Sequence, residues 1–254
     1  MISLDLLGID LLGLSFLLVF FLLIIVFAFM GRKRLVSNLR EIPAFRNLGY
    51  AIGLAVEAGT RLHLTLGRGG LLGIPAGSAL IGLKILDRIA RTASVSDLPP
   101  IATSGDGSLG ILSQDTLYNS FQAVGQGAQY VPSYGQVSGL TPFAYAAGTI
   151  PAIFDEHVST TILSGHFGSE VALITDASER VGATTLAGSD DLTAQAVLFA
   201  TAQEPLIGEE LYAAGAYLKS SPLHTASVRA QDVLRWTIIL ATLLGAILKF
   251  LQVV

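Results

Sequence analysis

Val158-Ser159-Thr160-Thr161-Ile162-Leu163-Ser164-Gly165-His166-Phe167-Gly168-Ser169 is the stretch that decides the fold class. A six-residue stretch, β-branched or apolar at all positions but Ser159, runs into a polar, glycine-containing turn, and a helix-like stretch follows over residues 170–181. Working outward, the same pattern recurs. Leu62-His63-Leu64-Thr65-Leu66 leads into Gly67-Arg68-Gly69-Gly70, and Pro100-Ile101-Ala102-Thr103 leads into Ser104-Gly105-Asp106-Gly107-Ser108. Ala183-Thr184-Thr185-Leu186-Ala187 leads into Gly188-Ser189-Asp190-Asp191, and a weaker strand lies near Pro205-Leu206-Ile207. Helical stretches are expected over residues 76–92, 112–124, 192–202 and 209–218. Strands alternating with helices at this spacing predict βαβ units and a mostly parallel sheet. Right-handed crossovers then gather the glycine-rich strand-to-helix turns along one edge, at the carboxyl ends of the strands.

Two apolar runs flank this α/β segment. Residues 11–30 form one of about twenty residues, the length that crosses a ~30 Å hydrocarbon core. Residues 236–254 form the other, interrupted only by Lys249 and Gln252. Asp5 and Asp10 precede the first run, and Arg32, Lys33 and Arg34 follow it, with Arg40 and Arg46 beyond. Arg229 and Arg235 precede the second. Basic residues stay preferentially on the cytoplasmic side. Both runs therefore predict a cell-membrane protein with two transmembrane helices, its N- and C-termini outside and its centre cytoplasmic. An acidic leader, a long apolar core and a poor cleavage site argue for a retained anchor rather than a signal peptide. The expected organisation is an anchor over 1–31, a basic juxtamembrane neck over 32–61, a cytoplasmic α/β domain over 62–228 and a C-terminal transmembrane helix over 229–254. Residues 70–86 and 140–154 are apolar but contain glycine and proline, which favours buried domain elements over segments dipping into lipid.

The absence of cysteine excludes disulfides, thiolate metal sites and cysteine nucleophiles. A net charge of −4 is too small to call for nucleic acid. Charged residues are few for a soluble surface and alanine and glycine abundant, which points to surface buried against copies of the chain or another membrane subunit. Tyr130 and Tyr134, in the Gly- and Ser-rich residues 126–142, either serve such an interface or pack onto the domain's own body.

The candidate site residues all lie in the glycine turns: Ser104, Gly105, Asp106, Gly107 and Ser108, then Ser164, Gly165 and His166, then Gly188, Ser189 and Asp190. Gly105-x-Gly107-x-x-Gly110 matches the dinucleotide fingerprint, but no acidic ribose partner lies about 20 residues on, and no P-loop sequence is present. Ser164 and His166 in one turn, with Ser104 and Asp106 in another, offer the parts of a Ser/His/Asp set without a nucleophile elbow. Polar satisfaction of turns and helix N-termini explains the same residues. Asp155-Glu156-His157, Asp190-Asp191 and Glu209-Glu210 lack metal-ligand spacing, and His63 and His224 stand alone. No metal or cofactor is expected. Phe167-Gly168-Ser169-Glu170, Gly188-Ser189-Asp190-Asp191 and Gly208-Glu209-Glu210-Leu211-Tyr212-Ala213-Ala214-Gly215 resemble an uncharacterised bacterial membrane-protein family. That family is a domain of unknown function with an N-terminal anchor and an α/β body. The resemblance implies no activity. Two functions are therefore expected: a non-enzymatic membrane scaffold whose domain self-assembles or docks in a membrane complex, or a sensor binding a nucleotide or another anionic small molecule at the glycine turns.

Overall fold

A computed structural model describes residues 11–31, 39–218 and 222–251. The basic cluster Arg32-Lys33-Arg34, together with Asp5, Asp10 and Gln252, lies outside the described residues. The chain divides into two units, one comprising Arg40–Leu218 and the other the segments before and after it.

In the larger unit, α2 (Pro43–Ala58) precedes β1 (Arg61–Gly67). It starts with proline at its first turn and ends at Gly59, whose left-handed φ of 63° lets its N–H reach the carbonyls of Ala55 and Val56. Next come α3 (Ala76–Ala93), β2 (Ile101–Ser104), α4 (Gly107–Ala123), β3 (Gly135–Val137) and α5 (Pro142–Asp155). Then follow β4 (Val158–His166), α6 (Val171–Arg180), β5 (Thr184–Ser189), α7 (Leu192–Thr201), β6 (Glu204–Leu206) and a 3-10 turn, Gly208–Ala213, leading into α8 (Ala214–Tyr217). All pairings are parallel, and the strand order is β3-β2-β1-β4-β5-β6. The sheet grows one way from β1 to β3, then returns to β4 and grows the other way. The helices before the reversal, α3 and α4, lie on one face of the sheet, and those after it, α5, α6 and α7, on the other.

Two cores result. On one face, Leu62, Leu64 and Leu66 of β1 pack with Phe45, Leu48 and Ile52 of α2, Ile85, Leu86 and Ile89 of α3, and Leu117 and Phe121 of α4. On the other, Leu163 and Phe167 pack with Tyr145 and Ile153 of α5, Ile174 of α6 and Leu198 of α7. The expected parallel α/β sheet is thus present. Residues 70–86 and 140–154 supply helices α3 and α5 of this unit, and residues 43–58 supply α2. Tyr130 meets Tyr118 and Phe121 edge-on and Tyr134 stacks on Phe121, with ring centroids 5.4–6.0 Å apart, so that loop packs on its own domain.

In the smaller unit, α1 (Leu11–Gly31) packs along α9 (Pro222–Phe250). Among the described residues, α9 is the one helix long and apolar enough to cross a membrane, with mean hydropathy 1.8 over its most apolar stretch and none of that stretch buried. The described apolar segment of α1, Gly13–Phe29, is shorter.

Candidate functional site: the carboxyl edge between β1 and β4

Direction reverses between β1 and β4, and in open parallel sheets the crevice at such a point is where ligands bind. Here the turns after β1, β2 and β4 are laced together by backbone. Arg68 N–H donates to His166 O at 2.8 Å, Gly105 N–H to Gly67 O at 2.8 Å, and Ser138 N–H to Ser104 O at 2.9 Å. Gly67 has a φ of 73°, and a side chain there would run into the His166 carbonyl. One at Gly165 would run into the carbonyl of Leu66. These glycines let β1 and β4 approach so closely that the edge is floored by backbone.

Two polar pairs stand on that floor. Arg68 Nε donates to Glu170 Oε1 at 2.8 Å, and Gly168 N–H donates to the same oxygen at 3.0 Å. Glu170 is only 2 % exposed. Burial alone would raise its carboxyl, but the bonds from Gly168 and Arg68 outweigh that and hold it below the usual range. In the second pair, His166 Nδ1 lies 2.7 Å from Asp190 Oδ1, and Ser78 Oγ lies 2.7 Å from Asp190 Oδ2. His166 is 33 % exposed and Asp190 10 %.

Beneath the edge, the Tyr145 hydroxyl bonds Thr65 and accepts the Gly67 N–H at 3.1 Å. Burial pushes this phenol up to about 12. His63, also buried, bonds Thr103 Oγ1 through Nε2 at 2.9 Å, and desolvation lowers it to about 3, so it stays neutral.

The other residues singled out in the sequence fall as follows. Asp106 caps α4, accepting the N–H groups of Ser108 and Leu109 and the Ser108 hydroxyl. The Ser108 bond leads in holding its carboxyl below the usual range. Ser104 Oγ approaches only main-chain carbonyls, of Asp106 at 3.4 Å and Gln136 at 3.3 Å. Ser164 is buried, its hydroxyl without a partner among the described residues. The structure therefore pairs His166 with Asp190 rather than with Ser164 or Asp106. Ser189 Oγ accepts the N–H groups of Phe167 and Asp191, and Gly188 faces Leu206. Gly107 borders open space. The Gly105-x-Gly107-x-x-Gly110 match follows β2, whereas the dinucleotide fingerprint belongs after the first strand, where this chain has Gly67-Arg68-Gly69-Gly70. Among the described residues no three His, Asp or Glu side chains gather to hold a metal ion.

A family profile described as a domain of unknown function (DUF6754) matches residues 9–254. The chain belongs to this family. No curated protein matches it, and no solved structure does. In this DUF6754 member, reading the sequence missed Arg68, Ser78, Tyr145 and Glu170. Arg68 carried a signal, a lone cation inside a glycine run after a strand. Ser78, Tyr145 and Glu170 carried none, because their partners lie about 80–110 positions away.

Proposed function

We propose that Arg40–Leu218 is a membrane-attached ligand-binding module whose site is the carboxyl edge between β1 and β4. The observation that carries this reading is the strand order, which puts the turns of β1 and β4 on either side of the reversal. Support comes from α3, which opens at this edge after Pro75 with no side chain capping its N-terminus, where helix geometry favours an acceptor. The carboxylates of Asp106, Glu170 and Asp190 outnumber the single permanent cation, Arg68, which Glu170 already neutralises. That balance favours a nucleoside or a singly charged nucleotide over a bare polyphosphate.

A thermal-shift panel of nucleosides and nucleotides on the detergent-extracted full chain tests this. A ligand at a hundred times its Kd stabilises by about 2.7 kcal/mol. Gly70→Val should abolish the shift while leaving the unliganded melt nearly unchanged. The β-carbon added at Gly70 meets only Asp106, at 3.6 Å, so the new side chain starts in open space on the edge. Silence across the panel at millimolar concentration removes the reading.

The scaffold reading has its own support. Leu72 is 91 % exposed and Ile74 95 %, and Leu140, Phe143, Leu192 and Phe199 are exposed as well. So much apolar surface on one domain is characteristic of an interaction face. Native mass spectrometry from mild detergent should then give a discrete multiple of the 26.6 kDa chain. A monomer at every concentration rejects self-assembly. For the membrane arrangement we favour two spans with the domain cytoplasmic, on the strength of Arg229 and Arg235, which precede the apolar part of α9.

A further inference from the structure

We propose that His166 is a general base that accepts a proton from a hydroxyl group of the bound ligand; the inference rests on the ligand-binding reading of this edge. The imidazole occupies the last position of β4, directly opposite Gly67 in the register of β1 and β4. Its main chain is pinned by the bond from Arg68 N–H to its carbonyl. Its ring is aimed by Asp190 at Nδ1, so Nε2 is the nitrogen left to face a ligand. A carboxylate on Nδ1 fixes the tautomer with the lone pair on Nε2 and offsets the charge that forms when that nitrogen is protonated.

Asp190 is not a spare helix cap. The neighbouring Asp191 performs that role, accepting the Ala194 N–H at 2.9 Å. Both oxygens of Asp190 are committed sideways instead, one to His166 and one to the Ser78 hydroxyl, which also approaches the Pro75 carbonyl at 2.9 Å. Asp190 directly follows β5, the strand beside β4, and Ser78 of α3 fixes its carboxylate from the other side of His166. Gly69 leaves the space beside the imidazole clear: a methyl carbon there would come within 2.7 Å of His166 Cβ. His166 is thus the group that meets the ligand, and Asp190 and Ser78 are positioning residues. In the step itself the ligand's O–H bond breaks, its proton forms an N–H bond at Nε2, and the electron pair stays on the oxygen. Return of the proton restores the imidazole.

Diethyl pyrocarbonate, which acylates unprotonated imidazole, reads out the reactivity of Nε2. Labelling of the full chain in detergent, followed by mass spectrometry of each histidine peptide, compares His166 with His157, which is more exposed. His166 should label at least as fast as His157 despite its lower exposure. Asp190→Asn should slow His166 at least fivefold and leave His157 unchanged, and Ser78→Ala should slow it by a smaller factor. The Ser78 variant carries the test by itself if Asp190→Asn does not fold. Labelling of His166 in proportion to its exposure, or indifferent to both substitutions, overturns the proposal. The readout needs no ligand, so it fails or succeeds independently of the thermal-shift panel.

Discussion

A methyl group added at Gly165 would be driven into the carbonyl oxygen of Leu66, which belongs to the neighbouring central strand and has nowhere to go. One added at Gly49, within α2, meets nothing within 4 Å. The same substitution therefore acts in opposite directions. Gly165→Ala should destabilise by about 1–3 kcal/mol through overpacking, whereas Gly49→Ala should stabilise by up to ~1 kcal/mol through helix propensity. Thermal or denaturant melts of the two variants check both signs. His63 gives a second prediction at this scale. Burial keeps it neutral in the folded state down to a pKa of about 3, while the unfolded chain takes up its proton near pH 6.5. The folded state binds fewer protons in that window, so stability falls as pH drops below 6.5, by about 1 kcal/mol per pH unit. His63→Gln should flatten the acid limb of a stability-against-pH curve between pH 6.5 and 4.5. An unchanged limb would place the loss elsewhere. The glycine turns were legible in the sequence because glycine is required by backbone geometry, which is local. The His166–Asp190 pair was not, because bringing those residues together depends on the register of β4 against β5, with Gly165 opposite Ser189.

Four of the six strands could be read as runs ending in glycine turns, β6 only as a weak strand near residues 205–207, and α3, α6 and α7 fell within a residue or two of their expected bounds. β3 could not, since it has only three residues, Gly135–Val137, within a Gly/Ser/Tyr-rich loop, and is made a strand by pairing with β2. The helix α2 was hidden because its region draws attention as a basic neck beside an apolar run. Its buried positions Phe45, Leu48, Ile52 and Ala55 nevertheless repeat at helical spacing. In α9 the problem is reversed, since composition alone suggests a span and only insertion demonstrates one. Leu244 lies near the middle of its apolar part and is exposed. Leu244→Arg should cost about 2.5–3.5 kcal/mol of insertion free energy. A larger share of the protein should then be released from membranes by alkaline carbonate. Equal retention of the variant would mean that α9 is not what holds the chain in the bilayer.

Strand order could not be read from the chain, because nothing local states whether a crossover returns to the near or the far side of β1. That single choice, made between β3 and β4, creates the reversal on which the candidate site depends and separates the two cores. The membrane arrangement is the other property of the whole molecule, and it follows from charge placement. Arg229 and Arg235 lie on the domain side of the apolar part of α9, and Lys249 near its far end is the lone cation there among the described residues. If basic flanks remain in the cytoplasm, the α/β unit lies inside and the end of α9 outside. The chain contains no cysteine, so single thiols can be introduced without background. Leu251→Cys, one residue past the end of α9, should react with a membrane-impermeant maleimide on intact cells. Asp97→Cys, exposed on the α/β unit, should react only after permeabilisation. Labelling in the opposite order would invert the topology, and labelling of both on intact cells would mean that α9 lies along the surface instead of crossing it.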